Sequence, residues 1–328
     1  MYKNKLIPTM FIFAAAMALA TPSTAASQGY PTRPVKIIVP FPAGSSADAS
    51  TRLVGAELAK RLGQPFVVET MPGADGIIGA EAAKRAAPDG YTIFLSTNST
   101  HAANLSLYNK LPYDPQKDFT AIAGLVSVPM IMLVKNDFPA QDVAGFLKIA
   151  QQQAASEKPL NYGSGNTAGQ VAGALLGTST KINFTHVPYK GSPQALQDLA
   201  GGILDFLFTD AYSPLTLVHG GRLKVLGVAD QERHPLYPQV PTMAEAGLPE
   251  VQVVAWNGFF APAKTDPAII ARLNEEINEI LSMPHIAETL QTMALTPMKM
   301  TPAELDSLVS SEIARWRSNI TLAGITKK

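Results

Sequence analysis

The sequence contains no cysteine. That excludes disulfides, thiolate chemistry, cysteine-ligated metals and a lipid anchor on an N-terminal cysteine, so the fold must rest on its apolar core. An excess of either charge is also missing, since 26 basic residues stand against 26 acidic ones. No stretch interleaves lysine and arginine with aromatics, and a nucleic-acid partner is excluded on that ground. Beyond the first residues, glycine, proline or charge breaks each apolar segment within about ten residues, short of the roughly 20 that a membrane span needs. No pair of histidines has metal-ligand spacing, and no cofactor or metal is expected. Neither GSSAD nor NYGSGN forms the Gly-x-Ser-x-Gly turn that exposes a serine nucleophile. What remains is a globular chain of 328 residues, 46% hydrophobic, with enough length for two domains.

The first residues differ in kind. Lys3 and Lys5 precede an apolar run from Leu6 to Ala20, followed by Pro22, Ser23, Thr24, Ala25 and Ala26. This is the layout of a secretory signal peptide over 1–26, with small residues placed for cleavage after Ala25 or Ala26. The run of about 15 apolar residues is too short to anchor the chain in a bilayer. An exported, mildly acidic periplasmic protein is expected, because the removed segment carries two lysines and no acid.

From Val35 onward, short apolar runs alternate with helical periods: VKIIV, a helix over Ala49 to Leu62, PFVVE, a helix over Gly79 to Arg85, and YTIFLS. Such alternation describes parallel strands joined by crossover helices, an open α/β sheet. A long apolar stretch, AIAGLVSVPMIMLVK, leads into a second α/β series with a helix near Ala144 to Gln152 and the strand-like LNY. A helix over Gly169 to Leu176 follows, then the strand-like INFTHV, ILDFLF and LKVLGVA. A second long apolar stretch, VQVVAWNGFFAPA, returns the chain to a helical end with capping signals at Asp266-Pro267 and Thr301-Pro302. Two crossings divide the chain into one domain of 27–128 plus 253–328 and a second of 129–252. Trp256, Phe259 and Phe260 fall on the second crossing and are assigned to the core.

Each domain has one strand-loop-helix junction rich in glycine and hydroxyls. These are PFPAGSSAD at 40–48 and YGSGNTAGQ at 162–170. A helix start exposes unpaired backbone N–H groups and a partial positive charge, and short side chains let a ligand reach them. Two such loops facing across a cleft can hold a carboxylate without an arginine. Ordinary N-capping by Ser46 or Asp48 also accounts for the first loop alone. The second loop carries one residue too many for a dinucleotide fingerprint. Asp210 ends ILDFLFTD at a strand carboxyl end, where ligands of open sheets bind, although capping of the next helix explains it equally. His101, in STNSTHAAN, either lines the cleft or packs.

Several stretches are similar to one family: PFPAGSSAD, MPGADGIIGAEAAKRAAPDGYTI, LYNKLPYDPQKDF, HVPYKGSPQALQDLAGGILDFLF and PQVPTMAEAGLPEV. In order and together they resemble the substrate-binding proteins of the tripartite tricarboxylate transporter family, the Bug receptors, over nearly all of the mature chain. The resemblance implies a two-domain periplasmic binding fold of type II-like form, with two interdomain crossings and a cleft between open sheets. It implies a ligand-binding set of Phe41, Ala43, Gly44, Ser45, Ser46 and Asp48 in the first loop. Ser164, Gly165, Asn166 and Thr167 belong to the second loop, and Asp210 to the strand end. Two departures bear on ligand identity: Ser45 stands where the family commonly has a second glycine, and Gln170 where it often has histidine.

The resemblance further implies a receptor, not an enzyme. It would act as a monomer, capture a small organic acid by domain closure and deliver it to a two-subunit membrane permease. Two alternatives stay open at this level. One is a sensor-kinase partner that reports the ligand. The other is an exported α/β hydrolase whose base is His101, His186, His219, His234 or His285. Expression with export should yield a mature chain beginning at Ala26 or Ser27, a mass that intact-protein mass spectrometry reads directly.

Overall fold

The computed structural model describes Met1 and residues 29–328, so the expected signal peptide lies outside the described residues. The chain opens with β1 (Val35–Val39), α1 (Ser46–Leu62), β2 (Phe66–Thr70), α2 (Ile77–Lys84), β3 (Thr92–Thr97) and α3 (Asn104–Leu107). The long β4 (Phe119–Lys135) leads to α4 (Val143–Ala155), β5 (Asn161–Ser164), α5 (Thr167–Thr180), β6 (Thr185–Pro188) and α6 (Ser192–Gly201). Then come β7 (Phe206–Asp210), α7 (Leu215–His219), β8 (Leu223–Val228) and the returning β9 (Val254–Pro262). The end consists of α8 (Pro267–Ser282), α9 (Pro284–Thr292), β10 (Thr296–Pro297) and α10 (Pro302–Leu322).

Local sequence accounts for these boundaries. In β1 only Lys36 is exposed, as expected for a strand covered on both faces. Helix α1 ends at Gly63, whose φ of 70° suits the left-handed C-cap that glycine adopts without strain. Asp266 accepts from the Ala268 N–H to cap α8, and Thr301 forms a reciprocal capping box with Glu304 before α10. Both helices carry proline in the first turn, where a missing N–H costs nothing. The expected strand INFTHV shortens to Thr185–Pro188. Lys181 turns left-handed at the end of α5 and Ile182 N–H returns to Gly177 O, which keeps the first residues of that segment off the ladder.

The strands form one sheet in the order β2-β1-β3-β9-β4-β7-β5-β6, with β8 and β10 also paired to β4. β1, β2 and β3 are mutually parallel, as are β5, β6 and β7. The two long segments differ from that pattern, for β4 and β9 run antiparallel to each other. β4 pairs with β9 from Phe119 to Pro129, then with β7 and β8 from Met130 to Lys135. The change of partners falls at Pro129, a residue with no N–H to give to a ladder.

Trp256, Phe259 and Phe260 are buried, as their place in an apolar run required. Trp256 on β9 and Trp316 on α10 both donate their indole N–H to the buried Glu312, at 3.1 and 3.0 Å. Arg315 adds a third donor to the same oxygen at 2.7 Å, so one carboxylate ties the last helix to the returning strand.

A π-helical turn, Ser99–Ala103, follows β3 and was not legible as a helix in STNSTHAAN. It carries His101 into the core, with ring centroids 4.2 Å from Phe260 and 4.9 Å from Phe119. Neither ring nitrogen has a hydrogen-bond partner among the described residues. Burial holds the imidazole neutral, pulling its pKa from 6.5 to about 3. Below the ordinary histidine pKa the unfolded chain binds a proton that the folded chain refuses, so stability falls with acidification. The slope approaches about 1.4 kcal/mol per pH unit between those two values. His101→Leu should remove this contribution, so that its urea midpoint exceeds the wild-type value by more at pH 4.5 than at pH 7.

Candidate functional site

The carboxyl ends of β1, β3, β5 and β7, the middle of β4 and the first half of β9 surround a cavity of about 30 Å³. Its walls bring together six of the residues expected from sequence: Phe41, Ser45, Ser46, Gly165, Asn166 and Asp210.

On the first side, Pro40 and Pro42 stop β1, and Gly44 turns at a φ of 81° before α1. The N-cap is Ser45, not Ser46 or Asp48 as the capping alternative had it: Ser45 Oγ accepts from Asp48 N–H at 3.3 Å and donates to Pro42 O at 2.7 Å. Asp48 instead accepts from Gly44 N–H at 3.0 Å and pairs with Arg52 at 2.8 Å. It therefore shapes the loop from behind. Ala43 and Gly44 are exposed on the outer side of the loop and do not line the cavity.

On the opposing side, Asn166 caps α5 by accepting from Gly169 N–H at 2.8 Å. Gly165 can carry no side chain, because a Cβ there would overlap the backbone of Gly191 and Ser192. Ser164 and Thr167 are buried but lie off the cavity wall. Ser164 Oγ sits 2.7 Å from His186 Nε2. That pair has the form of a nucleophile and base, yet it lies outside the cavity, and no carboxylate bonds the imidazole among the described residues.

Sequence reading missed Asn98, Ser192 and Asn257, which also line the cavity. Asn98 is 3% exposed, and its Nδ2 has no partner among the described residues. A buried amide donor without an acceptor is costly unless a ligand or water supplies one. The available signals were Asn98 at the end of a strand and Asn257 as the polar interruption of an apolar run.

Among the described residues, Asp210 is the only ionisable side chain on the wall. It accepts from Ser213 N–H at 2.8 Å and from Ser213 Oγ at 2.9 Å, with Thr209 Oγ1 at 3.2 Å. Burial raises its pKa above the ordinary aspartate value, and those donors oppose the shift only in part. Against this single acid stand two helix starts, α1 and α5, both opening on the cavity. The arrangement can bind an anionic head through backbone N–H groups and neutral side chains.

An open α/β sheet with paired helix starts over one cavity is the arrangement of a site for a small anionic solute. The family profile described as tripartite tricarboxylate transporter family receptor matches residues 50–325, and the chain belongs to that family. BugT of Bordetella pertussis (strain Tohama I) is 33% identical over 330 residues, with 100% of each chain covered. The structure of R. palustris Rpa4515 with adipate superposes with a TM-score of 0.88 at 32% identity, covering 91% of this chain and 100% of that one. MatC (Rpa3494) from Rhodopseudomonas palustris with bound malate gives 0.82 at 35% identity, covering 89% and 100%. Receptors of this family are periplasmic solute-binding proteins. Among the described residues, no helix is long and apolar enough to cross a membrane.

Asp210→Asn should raise the melting temperature of the unliganded protein at pH 8. A raised carboxylate pKa means that the ionised form weakens the fold above that pKa, and that stability returns as the group takes up a proton on acidification. The advantage of the variant should therefore shrink toward pH 4 in scanning calorimetry.

Proposed function

We propose that this protein captures a small organic acid by closing two lobes on it and delivers the acid to a two-subunit tripartite tricarboxylate transporter. It does so as a monomer, without transforming its ligand. The observation that carries this reading is the convergence of the α1 and α5 N-termini on one buried cavity. Relatives solved with adipate and with malate support a carboxylate as the ligand. The acid would meet the backbone of Ser46 and Ala47 and of Gly165 and Asn166, with Ser46, Asn166 and the Asn98 amide, which has no partner among the described residues, as side-chain donors.

The lobes in this reading are 27–128 plus 253–328 and 129–252, with the hinge where β4 changes partners beside Pro129 and where β9 begins. Closure has a defined stop. Pro42, in the first loop, packs on Gly191, just before α6, and a Cβ at Gly191 would lie 2.5 Å from Pro42 Cγ and Cδ. Gly191 has an extended φ of 179°, so any residue tolerates its backbone and the glycine serves proximity alone. The closed state is selected because only there do both helix starts reach the ligand.

The test begins with protein unfolded and refolded to strip any copurified acid. A carboxylate supplied at a hundred times its dissociation constant should add about 2.7 kcal/mol of stability, read as a melting shift, and be recovered unchanged by mass spectrometry. Gly191→Ala should weaken that binding about tenfold, and adding Pro42→Ala should restore it by freeing the space. Absence of a shift with every carboxylate, or conversion of the acid during incubation, sinks the receptor reading.

A further inference from the structure

The inner cavity, at about 30 Å³, has room for about two waters, which is the space of one carboxylate head. A larger acid must place the rest of its body elsewhere. Phe41 and Gly165 line this cavity and also a second one of about 230 Å³ on their other side. The second cavity spans the same cleft. Gly73, Asp75, Tyr108 and Lys328 come from one side, and Tyr189 and Lys190 from the other.

Its chemistry is unlike that of the inner cavity. Two lysines stand against one aspartate, so the outer cavity carries a net positive charge. Lys328 is committed, with Nζ 3.0 Å from Asp75 Oδ2 and 4.8 Å from the centroid of the Tyr108 ring. Asp75 also accepts from Tyr108 OH at 2.7 Å. Tyr189 OH donates to Asp198 at 2.7 Å, outside the cavity lining. Lys190 has no ion pair or side-chain hydrogen bond among the described residues.

The rim is built at a conformational cost. Four consecutive residues, Gly73 to Gly76, have positive φ, and two of them, Ala74 at 49° and Asp75 at 52°, are not glycine. Such backbone persists only where its surroundings hold it, and it gathers at ligand clamps. Here Asn104 Nδ2 holds the Asp75 carbonyl at 3.1 Å, while Tyr108 and Lys328 hold its carboxylate.

We propose that the outer cavity is a subsite for the far end of an extended dicarboxylate whose head occupies the inner cavity. Phe41 is the gate between the two, and Lys190 meets the second carboxylate. This rests on the receptor reading above, and it makes the favoured cargo a long linear diacid over a short acid or a monoacid.

Calorimetric titration with succinate, adipate and suberate, and with hexanoate and octanoate as monoacids of matching length, tests it. In wild type the long diacids should bind at least tenfold tighter than their monoacid counterparts. Lys190→Gln should reduce that ratio about tenfold, and Lys190→Arg should retain it. Lys190 is exposed, so loss of folding does not confuse the result. Phe41→Ala should join the cavities and narrow the difference between succinate and suberate. A ratio unchanged in Lys190→Gln, or succinate bound as tightly as suberate by wild type, overturns the subsite while leaving the receptor reading intact. No binding of any of the five linear acids also overturns the subsite, while the receptor reading stands or falls on the wider carboxylate panel.

Discussion

The antiparallel pairing of β4 with β9 is the constraint on which the rest of the molecule depends. These strands join the parallel set β1, β2 and β3 to the parallel set β5, β6 and β7. Through Val128, Met130, Ala255 and Asn257 they also supply the floor of the cavity. A sheet built this way sets the strand ends of the two sets toward one another, with a helix start at each. The site is thus a consequence of how the halves are joined. A loop on one half alone would leave the anion half solvated.

The cavity is electrostatically spare. In the proposed reading an anion is held there by partial charges fixed in the backbone, which are already oriented and need no reorganisation when the ligand arrives. A lysine or arginine in the same 30 Å³ would have cost desolvation and would have reached Asp210. Asp210 is tolerated there because Ser213 and Thr209 surround it with donors. The full charges of Asp75, Lys190 and Lys328 stand further out, in the outer cavity, where water lowers their cost.

Glycine does two different things around this site. Gly44 and the rim at Gly73 and Gly76 use positive φ, whereas Gly165 and Gly191 have no need of it and serve only to let backbone and proline approach. The sequence shows both kinds as the same letter. Only the packing of Pro42 on Gly191, residues far apart in the chain, tells them apart.

The strand-helix alternation, the two long apolar crossings and the two hydroxyl-rich helix starts were all legible in the sequence. Each is a local property: the apolar period sets the element, and proline with glycine ends it. Six of the eleven expected site residues line the cavity, five from the loops that local chemistry marks and Asp210 from the end of a strand. Tertiary structure alone decided the rest. It moved capping from Ser46 or Asp48 to Ser45, set Asp48 behind the loop and left Ala43 and Gly44 in solvent. It also brought Asn98 and Asn257 to the wall and sent His101 into the aromatic core. Those outcomes depend on which strand lies beside which and on how closely two loops approach. Side chains separated by tens to hundreds of residues settle both, and no window along the chain contains them.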